Sequence, residues 1–376
     1  MTTRLIPRRN AFENTLESGL RRLLDTRVAA LLTYPHGVDN YMQQFDRRWS
    51  LNEVRASVVN THAQTADTVT VTLRPNANWK GFAAGQYVRL SVDIDGVRRT
   101  RCFSPANSAH ERGLIELTCK IGPDSIVSRY LRDRAQPGEV MIVAQAEGQF
   151  ALPELRPERI LLISGGSGIT PVLSMLRTLT DEGHSGPITF LHYCRSAVDE
   201  LYAADVDAIA DRHANVQVLR CYAEGLGGQL HGVFDADQLR QAVPDYAQAE
   251  TFLCGPPGMM QAVQAAYDSQ GLSDQLHLEH FSAAPVAIDA EGAEGDVRFA
   301  RSERLAANSG ATLLDQAESA GLRPESGCRM GICHACTCRK TAGRVRDTRT
   351  GQISDAGEAD IQICVSVPVG TVTLDL

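Results

Sequence analysis

Long hydrophobic runs are missing from these 376 residues. No apolar stretch approaches the length of a membrane span, and the amino terminus, MTTRLIPRRNAFENTLESGL, lacks the apolar core of a secretory signal. The default compartment is therefore the cytoplasm, where reducing thiol pools argue against a disulfide framework built from the ten cysteines. Excess positive charge is lacking as well. The formal net charge is −8, and wholesale nucleic-acid binding needs a basic face to neutralise phosphates. No internal repeat is visible, and no acid–base triad or activated nucleophile stands out. What is present is a globular composition, 43% hydrophobic and 22% charged, in a chain too long for one ordinary core. A prior of roughly 100 to 200 residues per domain suggests two or three domains.

The pattern changes along the chain. Residues 1–53 read as an amphipathic helical leader, because Leu16, Leu20, Leu23, Leu24, Val28, Leu31 and Leu32 recur at helical spacing. Arg4, Arg8, Arg9, Arg21, Arg22 and Arg27 surround that stripe. The stripe is expected to pack on the next domain; the alternative is peripheral binding at the inner face of a membrane, where the arginines would suit anionic lipid. Over 54–154, VRASVV, TVTVTL, YVRLSVDIDGVRRTRCF, IELTCK and EVMIVAQ alternate apolar and polar residues between turn signals, which predicts an antiparallel barrel. Over 155–282, the buried strand RILLIS feeds GGSGITPVLSMLRTL, and PITFLHYC, VQVLRCY and AETFLCG alternate with helical segments, a parallel α/β pattern. Residues 283–295 are small, acidic and glycine-rich, and read as a linker. A compact final domain occupies 296–376.

That last domain holds GCRMGICHACTC. Cys328, Cys333 and Cys336 follow a C-x4-C-x2-C spacing, and Cys364 comes after a further 27 residues. Structural zinc usually takes two close cysteine pairs, so this arrangement fits zinc poorly. It is the spacing of plant-type [2Fe–2S] centres, whose iron and sulfide demand soft thiolate ligands. Gly327, Gly331 and Ala335 keep the loop free of bulk, so backbone N–H groups can approach the sulfides. Cys338 and most remaining cysteines read as small buried apolar residues. The motif PESGCRMGICHACTC, the helix TLLDQAESAGL and the terminal ICVSVPVGTVTLDL resemble a plant-type ferredoxin domain. The resemblance implies that Cys328 and Cys333 hold one iron and Cys336 and Cys364 the other.

A one-electron cluster needs a donor. RCFSPAN, residues 101–107, has the groups a flavin uses: an arginine for a diphosphate, an aromatic ring for the isoalloxazine and a hydroxyl for a ring nitrogen. With GQYVRL upstream and KIGPDSIVSRYL and GQFALP downstream, it resembles the flavin barrel of the ferredoxin–NADP reductase superfamily. The resemblance implies Arg101 at the FAD diphosphate, Phe103 on the ring and Ser104 near N5. Val127 and Ser128 would turn helix N-terminal amides to the same diphosphate. Cys102, Thr118 and Lys120 complete the expected flavin set, and the length of KIGPDSIVSRYL favours FAD over FMN.

ISGGSGITP departs from the usual dinucleotide fingerprint, since Pro171 stands where the third glycine would fall. A strand, a glycine loop and a helix N-terminus still suit a pyrophosphate, with Gly165, Gly166, Gly168, Ile169, Thr170 and Pro171 as the loop and the proline suited to a first helical position. In the superfamily a CGPP-like segment sits beside the nicotinamide; by that resemblance Cys254 lies near the hydride-donating carbon, with Gly255 and Pro256 shaping the pocket. Glu279 and Phe281 resemble residues near the flavin. Arg195 and Ser196, after the strand PITFLHYC, suit a 2′-phosphate, so NADPH is expected over NADH, although Asp199 is near enough to keep NADH open.

The expected architecture is multidomain: a helical leader, an antiparallel β-barrel flavin domain, an α/β parallel-sheet nicotinamide domain and an α+β (β-grasp) [2Fe–2S] ferredoxin domain. The implied route is NADPH to FAD to [2Fe–2S] to a separate acceptor, with Ser104, Cys254 and Glu279 at the hydride site. Arg329, Arg339, Lys340, Arg344, Arg346 and Arg349 make the cluster region basic and suggest an acidic docking partner. TYPHGVDNYMQQFDRRWS, LRPNANWKGFAAGQYVRL and DGVRRTRCFSPANSAH, with CRMGIC, resemble the iron–sulfur oxidoreductases that serve acyl-CoA desaturases. That likeness implies a membrane di-iron desaturase as the acceptor. The alternatives are an NADH-dependent reductase component of a Rieske-type oxygenase or demethylase, and a non-enzymatic redox-sensing electron-transfer subunit.

Overall fold

The computed structural model describes residues 24–122, 125–281, 293–327, 329, 331 and 334–376. Alternation does build the first sheet. Strands β1 (Val54–Thr65), β2 (Thr68–Pro75), β3 (Val88–Ile94), β4 (Val97–Phe103), β5 (Ile115–Lys120) and β6 (Val140–Val143) pair antiparallel in the order β4-β3-β6-β1-β2-β5. Every second residue, such as Val69, Val71 and Leu73, points into one core. Asp95 and Gly96, both at positive φ (51° and 79°), turn YVRLSVDIDGVRRTRCF back on itself as a hairpin. The two edge strands approach each other beyond the end of β4, where Pro105 bridges Leu117 and Ala106 N donates to Glu116 O (2.8 Å), so the sheet curls into a barrel. The helix Ile126–Asp133 sends Val127 and Leu131 into the barrel core.

Strands β7 (Ile160–Gly165), β8 (Ile188–Cys194), β9 (Val216–Tyr222), β10 (Leu230–His231), β11 (Glu250–Cys254) and β12 (Leu276–Glu279) form a parallel sheet in the order β10-β9-β8-β7-β11-β12. All six residues of β7 are buried, as a central strand covered on both faces requires. From β7 the chain winds outward to β10, then returns to the other side at β11. The carboxyl ends of β7 and β11 therefore make the topological switch point, where ligands bind in open α/β sheets.

Barrel and sheet share one core. The helix Ile169–Asp181 packs Val172, Leu176 and Leu179 against Ile160, Leu162 and Phe190, and the same cluster takes in Ala84, Ala106, Phe150 and Leu152 from the barrel side. Polar groups reinforce the seam. Arg177 donates to Glu116 Oε1 (2.7 Å), Ala106 O (2.8 Å) and Asp205 Oδ2 (2.9 Å), and its guanidinium lies over the Tyr202 ring. The Tyr202 hydroxyl bonds Thr118 Oγ1, and Ser174 Oγ donates to Asn107 O (2.8 Å).

The last sheet is mixed. Strands β13 (Asp296–Phe299), β14 (Arg304–Ala307), β15 (Thr337–Asp347), β16 (Ala359–Gln362) and β17 (Ser366–Leu374) run in the order β14-β13-β17-β15-β16, with β13 and β17 parallel. The helix Leu313–Ser319, capped by the Thr312 hydroxyl, buries Leu313, Leu314 and Ala317 against them. Among the described residues this core draws on the last domain alone. Lys340 is fully buried, its ammonium donating to the carbonyls of Gly343, Asp355 and Gly357.

The leader differs from its expectation. Leu16, Leu20, Leu23 and the arginines at 4, 8, 9, 21 and 22 lie outside the described residues. Within the helix Arg27–Leu32, Val28, Leu31 and Leu32 are 66%, 77% and 81% exposed, so these positions do not pack on the barrel. A six-residue helix cannot carry a continuous stripe to a neighbour. The segment is anchored further on: Asp39, in the helix Gly37–Met42, accepts from Ser50 Oγ (2.7 Å) and Leu51 N (2.9 Å). Asn76 Nδ2 donates to Arg48 O (2.8 Å), and Asn78 Nδ2 to Ser50 O (2.9 Å). LRPNANWK and the leader motif are thus two sides of one contact.

At the switch point the glycines are tightly packed. A Cβ on Gly168 would fall into the Cys254 carbonyl and within 2.8 Å of Gly255 N, whereas Gly166, at φ +53°, has nothing within 4 Å of its Cβ position. Gly168→Ala should cost about 2–3 kcal/mol by overpacking, and Gly166→Ala only about 1 kcal/mol of left-handed strain. Urea denaturation of both variants measures the contrast. By the same assay, Arg177→Leu should cost roughly 3 kcal/mol, because it strands the half-buried Glu116 carboxylate and the Ala106 carbonyl.

Candidate active site

A cavity of about 200 Å³ opens where barrel, glycine loop and β12 meet. The end of β4 supplies Cys102, Phe103 and Ser104, and β5 supplies Thr118 and Lys120. Thr170 comes from the first turn of the helix Ile169–Asp181, and Glu279 and Phe281 from the end of β12. These come from four separate parts of the chain, and only the shared core brings them to one wall. A second cavity of about 130 Å³ holds Gly166, Cys194, Arg195 and Asp199 at the carboxyl end of β8. Lys120 and Ser167 line both, so the two form one groove along the strand ends.

The electrostatics of the groove follow from burial. Glu279 accepts a hydrogen bond from Ser104 Oγ (3.3 Å), yet its removal from water pushes its carboxyl up to about 8. Beside it in register, Cys254 is fully buried, and burial together with the neighbouring Glu279 raises its thiol well above the ordinary value. Burial therefore favours the neutral form of both groups. The register continues the row from Glu279 and Cys254 to Ser164 and His192, whose Oγ and Nδ1 are 2.8 Å apart. Burial pushes His192 down to about 3, so it too is uncharged.

Several expected residues stand elsewhere. Cys254 lies behind the cavity wall rather than in it, with Gly255 and Pro256 wedged against Gly165 and Gly168. Ile169 is buried at the helix start and Pro171 is the third helical residue, not the first; its missing N–H is tolerated there because the first-turn amides have no intrahelical acceptor. Val127 faces the barrel core and Ser128 is buried, so they could serve a diphosphate only through backbone amides. Ser196 Oγ and Arg195 both bond Asp199, the arginine through Nη2 at 2.6 Å and Nε at 3.1 Å, and these partners hold the Asp199 carboxyl below its usual range. Arg101 does not line the cavity; it donates to Thr100 O (2.8 Å) and to Gly327 O (3.1 Å) of the last domain.

Sequence reasoning missed Tyr87, Ser167 and His280 in the first cavity and Asp67 and Thr68 in the second. Tyr87 and Ser167 sit inside GQYVRL and ISGGSGITP, but nothing local marks their side chains. Asp67 and Thr68 lie at the β1–β2 turn and reach the groove only through tertiary structure.

For the cluster, Cys328 and Cys333 lie outside the described residues. Cys336 and Cys364 are buried at one end of the last sheet, where Ile363 N donates to Cys336 O (3.3 Å). Gly331, at φ +73°, has Arg349 and Val365 atoms 2.8 Å from its Cβ position, so a side chain would collide with the loop's own support. Two thiols in an apolar core beside a bulk-free loop fit a thiolate-held iron–sulfur group. The aromatic and hydroxyl-lined groove at the switch point likewise fits a flavin and a nicotinamide dinucleotide.

The basic face expected around the cluster is largely neutralised within the domain. Arg329 pairs with Asp315 and Glu318, Arg339 with Glu358 and Asp360, and Arg349 with Asp347, while Lys340 is buried. Arginines spent on neighbouring carboxylates leave little field for an acidic partner.

Three family models tile the chain: an oxidoreductase FAD-binding domain over residues 55–152, an oxidoreductase NAD-binding domain over 162–265 and a 2Fe-2S iron-sulfur cluster binding domain over 299–369. The chain is 35% identical over 356 residues to an NADPH oxidoreductase of Mycobacterium tuberculosis, covering 93% of this chain and 91% of that protein. It is 31% identical over 318 residues to the glycine betaine monooxygenase reductase subunit of Pseudomonas aeruginosa, covering 78% of this chain and 87% of that one. Phthalate dioxygenase reductase shares the fold, with a TM-score of 0.61 at 23% identity over 86% of this chain and 98% of that one. These relatives overturn the non-enzymatic reading: the chain is an NAD(P)H-dependent oxidoreductase whose cofactors are FAD and a [2Fe–2S] cluster. With its flavin barrel, nicotinamide sheet and cluster domain in this order, the chain belongs to the ferredoxin reductase-type oxidoreductases that carry a C-terminal [2Fe–2S] domain.

Proposed function

We propose that this reductase draws electrons from NADPH and delivers them to a separate oxygenase component. The kinship that carries the acceptor is with the glycine betaine monooxygenase reductase subunit, across 87% of that protein. The choice of NADPH rests on Arg195 and Ser196 at the end of β8 and on likeness to a protein named for NADPH. A 2′-phosphate there would take over the donors that Asp199 now holds.

When bound, FAD takes an electron pair as hydride and the [2Fe–2S] cluster takes electrons one at a time, so together they convert the one into the other. The chain's residues prepare that exchange. Phe103 and Phe281 offer apolar faces in the first cavity, and Arg101, at the end of β4 with N–H groups of Nε and Nη2 open, would hold the flavin diphosphate. The loop from Gly165 to Thr170 turns backbone N–H groups to the nucleotide pyrophosphate. Ser104 Oγ donates to Glu279, which holds its proton at neutral pH, and Cys254 presents an uncharged thiol behind it. A neutral row keeps the reacting ring in a dry, orienting pocket without adding a charge. Cys328, Cys333, Cys336 and Cys364 hold the cluster.

A membrane acyl-CoA desaturase is a second reading of the acceptor. One observation favours it: Val28, Leu31, Leu32 and Tyr34 are exposed together in the leader, on a surface that suits an apolar contact. Among the described residues no helix is long and apolar enough to cross a membrane. Anaerobic titration with NADPH and with NADH, followed by addition of an oxygenase or a desaturase, separates these readings. NADPH should bleach the flavin and then the cluster, and the oxygenase should reoxidise both; reoxidation by the desaturase alone would reject the oxygenase.

Cys364→Ser should keep ferricyanide reduction at the flavin but lose cluster absorbance and lower cytochrome c reduction by roughly tenfold or more. Glu279 makes a pH-dependent prediction. Its folded value, about 8, lies above the ~4.3 of a free glutamate. Between those values the folded state binds the additional proton, so stability falls as pH rises through this window. Glu279→Gln removes that slope. As pH climbs from 5 to 8 the variant should therefore gain on the parent by about 1.4 kcal/mol of stability per pH step of one. Denaturant unfolding of the holoprotein at several pH values measures the gain.

A further inference from the structure

The ferredoxin domain has its own core, and the hydrogen bond from Arg101 Nη1 to Gly327 O ties it to the barrel across 226 residues of sequence. Gly327 is buried and immediately precedes Cys328. Arg101 follows Thr100 in β4 and precedes Cys102, Phe103 and Ser104, which wall the flavin cavity. One guanidinium therefore stands between the flavin site and the cluster loop. Its surroundings are electrostatically incomplete. Burial weakens its charged form, and so do Arg329 across the interface and Arg99 on its own strand; Glu318 gives only partial relief. Among the described residues Arg101 makes no ion pair, and its hydrogen bonds use Nη1, leaving the N–H groups of Nε and Nη2 for another acceptor. A half-buried guanidinium held by two carbonyls through one nitrogen, with its remaining N–H groups open, suits an anion.

We propose that Arg101 is a cofactor-gated latch: it bonds the flavin diphosphate and the Gly327 carbonyl at once, so flavin binding fixes the cluster domain against the barrel. This rests on the reading of Arg101 as the diphosphate residue. The diphosphate takes the N–H groups that Arg101 leaves open, which fixes the guanidinium while it keeps its bond to the loop. Without the diphosphate Arg101 is held by the Thr100 and Gly327 carbonyls alone, and the seam loosens.

The test uses the full chain with its cluster in place, either stripped of flavin or saturated with FAD. Small-angle scattering reads the radius of gyration, and amide hydrogen exchange reads residues 334–340. FAD should reduce the radius and slow exchange in that segment by about tenfold. Arg101→Gln, saturated with FAD as checked by absorbance, should keep the expanded radius and fast exchange of the flavin-free chain. The FAD dissociation constant of Arg101→Gln tests the underlying reading separately, and a rise of about tenfold or more supports it. An unchanged constant would reject the diphosphate role. A scattering curve and exchange rate that ignore FAD, or that respond equally in the parent and Arg101→Gln, overturn the latch whatever the affinity does.

Discussion

The burial of one helix between two sheets is the constraint on which the active groove depends. Ile169–Asp181 presents Val172, Leu176 and Leu179 to the parallel sheet and, within the same cluster, meets Phe150, Leu152, Ala84 and Ala106 of the barrel. Apolar surface shared in this way favours a fixed angle, because a protein interior resists sliding. Arg177 then makes the seam specific: a single guanidinium satisfies a carboxylate, a carbonyl and a second carboxylate, and any shift would strand at least one of them. Ser104 on the barrel and Glu279 on the sheet lie within hydrogen-bond distance only while that seam holds.

Rigidity also sets the charge state of the site. Glu279 would be ionised on a mobile loop; at the end of β12, against Cys254 and Ser104, partial removal from water favours its protonated form. The same burial silences Cys254 and His192. At the other end of the groove the environment is wet, and Arg195 and Asp199 remain a charged pair. The groove thus runs from an uncharged end, suited to a ring that changes oxidation state, to a charged end suited to a phosphorylated ribose.

Sequence legibility followed the range of the interaction. The barrel strands, the all-buried β7 and the glycine loop are local patterns, and TVTVTL, RILLIS and ISGGSGITP announce them. Residue type also marked Phe103 and Ser104, which the fold places in one cavity wall, because an aromatic beside a hydroxyl survives as a motif. The misses arise where a side chain's partner is remote. Nothing near Arg101 points to Gly327, and the exposed Val28 and Leu31 carry the same helical spacing as packed residues would. The arginines near the cluster looked like an external field because the carboxylates that neutralise them sit on other strands and on the helix Leu313–Ser319. The motifs LRPNANWK and TYPHGVDNYMQQFDRRWS suggested a particular acceptor, yet the asparagines of the first clamp the carboxyl-terminal end of the second. A long motif can be distinctive because two segments must fit each other.

The attachment of the cluster domain contrasts with all this. Barrel and sheet are joined by a continuous core, whereas the last domain closes its core on itself and even satisfies its one fully buried lysine internally. A domain joined by polar contacts gives up its position at far lower cost than one that must expose apolar surface. Electron relay makes opposite demands at its two ends: the cluster must stand close to the flavin to be reduced, and its loop must face an acceptor to be oxidised. A polar seam beside the cluster ligands can meet both demands, since charge, unlike packing, can be altered by what binds next to it.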